Sequence, residues 1–552
     1  LKLNKITYFK RDFNKWSIYT LAIVLFIALP IITIFFKLFS GPGETWNHIV
    51  KNVLLEYSLN SLWLIIGCTF LTLLFGVFSA WTVSRYKLPF QKALEWMLIL
   101  PLAIPSYITA YTYAGFFDYG GTLELLLKSI GITGVKFNVT NLWGLIIVLS
   151  ASLFPYVYVS ARTVFLYQSG RLIEASKILG AGERSTFFKV VLPIARPAII
   201  GGLILVLMEV LNDYGAAKYY GVSTFTTGIF RTWFALEEPS TAIYLSAILL
   251  LIVFIIIVLE RWQRGSKSYA LATKSDIKLP KIELSKYYKI GLFLLVSIPV
   301  FIGFILPVLQ LIYWSFLTFK SVASLSFFTI ALQSLGISLL TALLTVIIAV
   351  LILYFPKWNR LKGLKKSSRI AILGYAIPGA VIAIGVMIPT LFIDKWLIKV
   401  FKQLADINIG LIINGSIFVL LYAYIIRFLA VAYNPIEASQ LKIGTSLSEA
   451  SKILGKGNIK SFFKIDFPLL KSGLFSAFVL VFVDTMKELP LTLILKTYNI
   501  NTLAVKAYEY ASDELIMEAA LPSLCIIVTG ILPVIFLNRL ILNNKNEKNN
   551  NI

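Results

Sequence analysis

Between positions 17 and 38 the chain reads SIYTLAIVLFIALPIITIFFKL, an apolar run with one charge, near its far end. An α-helix needs about 20 such residues to cross the hydrocarbon core of a bilayer. Eleven further blocks of this character follow. In the first half of the chain they lie at approximately 58–84, 93–117, 141–167, 195–216 and 241–262. In the second half they lie at approximately 288–316, 333–355, 369–393, 411–431, 471–495 and 518–540. The pattern predicts an all-α polytopic membrane protein of about 12 transmembrane helices, arranged as two tandem six-helix halves. Pro101, Pro105 and Pro378 are placed to bend the third span of each half, as proline does where membrane helices break.

The polar segments divide the chain further. Residues 1–264 form the first half and 288–542 the second. The basic stretch 265–287 is a linker between them, and the low-complexity tail 543–552, NNKNEKNNNI, is expected to be disordered. The basic N-terminal residues Lys2, Lys5, Lys10, Arg11 and Lys15 run into the apolar stretch from Trp16 to Leu38. That stretch is too long for a signal-peptide core and holds no small-residue cleavage site, so it reads as an uncleaved first span.

Composition agrees with a membrane protein: 58% of the 552 residues are hydrophobic and only 14% are charged, against roughly 25% charged in soluble domains. The net charge of +24 suggests nucleic acid at first sight, but Lys and Arg gather in alternate short loops, so no nucleic-acid partner is expected. By the positive-inside rule this asymmetry places both termini, the linker and the loops after spans four and ten in the cytoplasm. Cys68 and Cys525 both fall inside predicted spans, so no disulfide framework and no metal site is expected.

One polar word is printed twice. EASKILG occupies 174–180 and again 449–455, and the repeat runs without gaps from 174–200 to 449–475. Each copy lies between the fourth and fifth span of its half. Six spans separate equivalent points, so the halves insert with the same orientation, related by a pseudo-two-fold along the membrane normal. In the first copy a helix is expected to stop at Gly180 and Gly182. Ser185 is placed to cap a second short helix, which Pro193 ends. Gly455, Gly457 and Pro468 repeat these roles. Such a helix–turn–helix is either an interfacial hairpin duplicated with its half or, the favoured reading, a docking surface for a partner of matching two-fold symmetry.

The spacing E-A-x-x-x-x-G, nine residues, then I-x-L-P resembles the "EAA" signature of ABC importer permeases. Here it reads Glu174, Ala175, Gly180, Val190, Leu192, Pro193, and Glu449, Ala450, Gly455, Ile465, Pro468. Ser176 and Ser451 stand where the family often has its third Ala, and Phe467 replaces the usual Leu. The chain looks similar to the fused, two-half ferric iron permeases of that superfamily along LPLAIPSYITAYTYAGFFDYGG (100–121), LNDYGA (211–216), GYAIPGAVIAIGVMIP (374–389) and DTMKELPLTLIL (484–495). The resemblance implies the type I importer fold, with coupling loops at 171–193 and 446–468 seated on a dimer of ABC ATPase subunits. It also implies a soluble substrate-binding protein on the outer side, and the inner membrane of a bacterium as location. It implies that ATP and Mg belong to the ATPase and that this chain is no enzyme and binds no cofactor. No G-x-x-x-x-G-K-[ST] phosphate loop occurs in the sequence, in keeping with that division of labour. Thiamine, sulfate, phosphate and polyamine permeases share parts of the design, and a secondary transporter driven by an ion gradient shares the span count.

Charges inside span five need a reason, because a mid-bilayer carboxylate costs about 2.5–3.5 kcal/mol. Glu209, Asn212 and Asp213 in the first half align with Asp484, Lys487 and Glu488 in the second. Two readings stand: they line the translocation path, where carboxylate oxygens suit a hard cation, or they pair among themselves and fix helix packing. Asp118 and Tyr119 are expected at the outer surface, either meeting the binding protein or settling in the aromatic belt.

Overall fold

The computed structural model describes residues 14–134, 137–167, 170–264, 281–358, 364–406, 410–443, 446–497 and 499–531. Most of the linker and the tail, including 543–552, lie outside the described residues. Among those described, ten helices are long and apolar enough to cross a membrane, or eleven when a bent pair is taken as one span. The expected twelfth is described only as the short apolar helix Ala520–Ile531. A single isolated bridge between Tyr86 and Ile282 is the only β pairing among the described residues.

In chain order the helices used below are α1 (Lys15–Lys37), α2 (Leu54–Arg85), α3 (Ser106–Phe117), α4 (Leu142–Tyr167), α5 (Gly170–Ile178), α6 (Glu183–Thr186), α7 (Leu192–Asn212), α8 (Gly215–Tyr219), α9 (Pro239–Arg264) and α10 (Lys286–Val300). They continue as α11 (Leu306–Val322), α12 (Leu325–Tyr354), α13 (Gly379–Ala405), α14 (Ile417–Ile443), α15 (Ser446–Ile453), α16 (Asn458–Ser461), α17 (Phe467–Met486) and α18 (Pro490–Leu495).

The chain forms two compact units. One comprises 43–323 with 507–527, the other 1–42 with 324–506 and 528–552. These packing units are not the two sequence repeats. The opening span α1 packs on α13 of the second repeat, while α10 and α11 pack with α2, α3 and α4 of the first. Each repeat thus lends its first span to the other's unit.

Within the 43–323 unit, α2, α4 and α7 form a mutually packed trio. Close approach requires small residues there, as between membrane helices in general. A Cβ on Gly76 would come within 2.7 Å of Val157, and one on Gly202 within 2.6 Å of the Tyr156 carbonyl. The second unit repeats the trio with α12, α14 and α17.

Span three is broken as the prolines suggest. Helices 91–103 and 106–129 meet at 91°, and Pro105 (φ −56°, ψ 139°) precedes α3 in extended conformation. Pro378 (φ −54°, ψ 141°) does the same before α13. A proline here costs no hydrogen bond, because the first turn of a helix has no acceptor for its N–H.

Candidate functional site

The repeated word folds twice into the same hairpin. In the first copy, α5 ends in a left-handed Gly180 (φ +78°). The N–H of Ala181 donates to the Ser176 carbonyl at 2.9 Å and that of Leu179 to Ala175 at 3.1 Å. In the second, Gly455 has φ +74°, Lys456 N–H donates to Ser451 O at 3.1 Å and Leu454 N–H to Ala450 O at 3.1 Å. A glycine in this position satisfies carbonyls that a helix end otherwise leaves open. The glycine stop expected from the sequence is therefore present in both copies.

Two details of the second helix differ from expectation. Gly182, not Ser185, precedes α6, and Ser185 lies inside it. Nor do Pro193 and Pro468 end anything: Glu183–Asn212 and Asn458–Met486 each run on as one span. The reason is a π turn just before each proline. Leu192 N–H donates to Phe187 O and Phe467 N–H to Phe462 O, five residues back. This wider turn re-registers the ladder, so each proline falls in the first turn of the helix that follows, where it is tolerated.

Aromatic side chains root both hairpins. Phe187 packs on Trp81 with ring centroids 4.8 Å apart, and Phe462 on Tyr354 at 4.7 Å. Ile173 is buried. Ser176 is also buried, with its hydroxyl on Ile173 O at 2.9 Å and against Thr186 Oγ1 at 3.0 Å. Ser451 is buried likewise, and its hydroxyl has no hydrogen-bond partner among the described residues. Small polar residues at this third motif position are thus internal to the hairpin, whereas Glu174, Ala175, Glu449 and Ala450 are exposed.

The outward-facing tips are apolar. Ile178 and Leu179 are each 86% exposed, Ile453 86% and Leu454 76%. Ile173 is buried at the start of the same helix, but Ile178 turns outward. A residue just before a left-handed glycine sits where the helix is already ending, and that position was the available signal. Each hairpin thus leaves two large apolar side chains uncovered at its tip.

Among the described residues, the first hairpin has a tie with no counterpart in the second. Arg85, fully buried at the end of α2, holds Glu183 through Nε at 3.2 Å and Nη2 at 2.5 Å. The position aligned with Glu183 is Asn458. Sequence reading missed both partners, because they are 98 residues apart. At the same rim, Glu95 pairs with Arg162 at 2.6 Å and with Lys281, at the end of the linker, at 3.6 Å.

The span-five charges separate into two kinds. Asp213 accepts from Ser106 Oγ and from Ala216 N–H at 2.8 Å, capping α8. At the aligned position Glu488 accepts from Leu491 N–H at 3.2 Å in the first turn of α18 and from Arg427 Nε at 3.0 Å. Arg427, on α14, also donates to the Ile377 carbonyl at 2.7 Å. Gly379 stands where Ser106 stands in the first repeat, and a Cβ there would lie 2.6 Å from Glu488 Oε1. Both carboxylates are buried and fastened to the break that follows span five. Asp484 and Lys487 pair at 2.9 Å with side chains about one-fifth exposed, and Glu209 is half-buried. Among the described residues no three His, Cys, Asp or Glu side chains gather as a metal site. Tyr119 is 83% exposed, with Lys128 over its ring.

The family model described as binding-protein-dependent transport system inner membrane component matches residues 72–265 and again 365–544, each stretch enclosing one hairpin. The Fe(3+)-transport system permease protein FbpB 2 of Haemophilus influenzae is 27% identical over 488 residues, covering 88% of this chain and 90% of that protein. The sulfate transport system permease protein CysT of Salmonella typhimurium is 27% identical over 202 residues, 36% of this chain and 71% of its own length. The spermidine/putrescine transport system permease protein PotB of Haemophilus influenzae is 27% identical over 179 residues, 32% of this chain and 63% of its own.

Proposed function

Because the chain belongs to the family of binding-protein-dependent transport system inner membrane components, we propose that it is the two-half permease of an ATP-driven importer of ferric iron. The observation that supports this cargo is coverage. The relative named for Fe(3+) transport aligns with 88% of the chain, whereas those named for sulfate and for spermidine align with about a third.

In this reading the exposed tips Ile178–Leu179 and Ile453–Leu454 enter clefts on two ATPase subunits that carry ATP and Mg, and Glu174, Ala175, Glu449 and Ala450 rim the contact. Gly180 and Gly455 fix the turn that presents the tips. Closure of the ATPases moves α7 and α17 through the π turns preceding Pro193 and Pro468. A soluble binding protein delivers iron at the opposite surface, near Asp118 and Tyr119. Both termini lie in the cytoplasm of a bacterial cell, as the loop charges favour. Asp484, Lys487, Glu209 and Asn212 line the path, while Asp213 and Glu488 hold the helix breaks beside it. Carboxylate oxygens are suitable for a hard trivalent ion, and Lys487 keeps Asp484 from becoming a trap.

The test is uptake of radioactive ferric iron into proteoliposomes holding this chain, its ATPase and its binding protein. ATP-dependent accumulation that sulfate, thiamine or spermidine fails to compete supports the reading. Uptake driven by an ion gradient without ATP overturns it.

A further inference from the structure

The outward face of the first repeat carries a groove of about 740 Å³ between α2 and α7, a size typical of small-molecule sites. Leu74, Phe78 and Trp81 line one wall, and Phe188, Ile200 and Leu203 the other. Three of these are open to the surroundings: Leu74 is 52% exposed, Phe78 38% and Phe188 64%. Both walls are membrane-crossing helices, so acyl chains are what the surroundings offer. One lining residue breaks the apolar character. Arg196 is exposed, and among the described residues no acidic side chain lines the groove beside it.

Depth gives that cation meaning. Arg196 lies 16 residues before Asn212, the last residue of α7, hence about 24 Å along the axis at 1.5 Å per residue. The hydrocarbon core is about 30 Å thick. With the span-five charges inside the core, Arg196 falls at its far edge or just beyond, level with the headgroups. Trp81 lies one turn from Arg85 at the same end of α2, where an interfacial aromatic is expected.

We propose that this groove binds one anionic phospholipid of the cytoplasmic leaflet, its acyl chain between α2 and α7 and its phosphate on Arg196. The choice of leaflet rests on the orientation proposed above. The occupant lies against Phe187, Phe188 and Pro193, the root of the first hairpin, and so braces the joint through which ATPase motion enters span five. At the position aligned with Arg196 the second repeat has Lys471, a point charge rather than a planar fork for phosphate oxygens.

Brominated lipids test this in nanodiscs, with Trp81 as reporter. The Trp81 signal is the difference between the wild-type chain and W81F. Dibrominated phosphatidylglycerol should quench it with about fivefold greater apparent affinity than dibrominated phosphatidylcholine, the preference expected of one cation near an anionic headgroup. R196Q should abolish the preference and R196K should keep part of it. Equal quenching by both lipids, or a preference that survives R196Q, overturns the proposal. A cross-linker at Phe188 that captures a second copy of this chain in place of lipid overturns it too. Should R196Q fail to insert, native mass spectrometry of the wild-type chain gives the same decision: retained phosphatidylglycerol supports the site, and retention of neither lipid refutes it. The readout is lipid contact, so it can fail while ATPase docking stands, and the reverse.

Discussion

Replacing Gly180 by alanine separates two reasons for a glycine in the repeated word. Gly180 has φ +78° and Gly455 φ +74°, and an added Cβ would meet nothing within 4 Å at either. The penalty is then the backbone's alone, about 1–2 kcal/mol for an L-residue in the left-handed region. A loss of that size lowers the population holding the turn by a factor of about 5–30. Gly182 is just as open but has φ −68° and ψ 162°, which any residue adopts, so G182A should cost nothing. Asparagine visits the left-handed region more readily than alanine, and G180N should fall between. The measurement is the amount of ATPase retained on the purified chain, with iron uptake alongside, for the three variants and for G455A. The expected order is G182A near wild type, then G180N, then G180A and G455A. If G182A is as damaging as G180A, or G180N is worse than G180A, bare backbone against the partner matters and the turn argument is wrong.

Breaking the buried pair from one side, as R427M or E488Q, should lower stability by about 3–5 kcal/mol, whereas R427M/E488M together should cost much less; thermal unfolding in detergent compares them. At the partly exposed Asp484–Lys487 pair, D484N should change stability by less than about 1 kcal/mol yet reduce iron uptake; unchanged uptake would return that pair to a packing role. Burial pushes the Glu238 carboxyl up, but hydrogen bonds from the Thr45 hydroxyl and N–H, from Thr241 and from the Glu44 backbone outweigh it and hold the group below its ordinary 4.5. A depressed acid stabilises fully above that unfolded value and loses its contribution as pH falls through the folded one. Unfolding measured from pH 6 down to pH 3 should therefore show a loss below about 4.5 that E238Q flattens.

Much of this was legible along the chain because its causes are local. A span is a run of apolar residues, and a left-handed turn leaves glycine nearly alone as a choice, so the spans, Gly180, Gly455 and the broken third span follow from neighbours in sequence. Pro193 and Pro468 misled for the same reason. Proline was read as a stop, and nothing in FFKVV or FFKID announces the π turn that makes room for it. Arg427 with Glu488 and Arg85 with Glu183 stayed hidden because each pair joins distant helices. The exchange of first spans was equally out of reach, since α1 is as apolar toward one set of neighbours as toward another.

That exchange decides how the polypeptide can be divided. A cut between α9 and α10 leaves both helices whole, yet the N-terminal piece would leave carrying α1, which completes the other unit, and the C-terminal piece would keep α10 and α11, which complete the first. Neither piece is a self-sufficient permease. Made together they should reassemble, and made singly each should expose an unclosed flank and be degraded, so the covalent fusion secures equal supply of two parts that are already indispensable to each other.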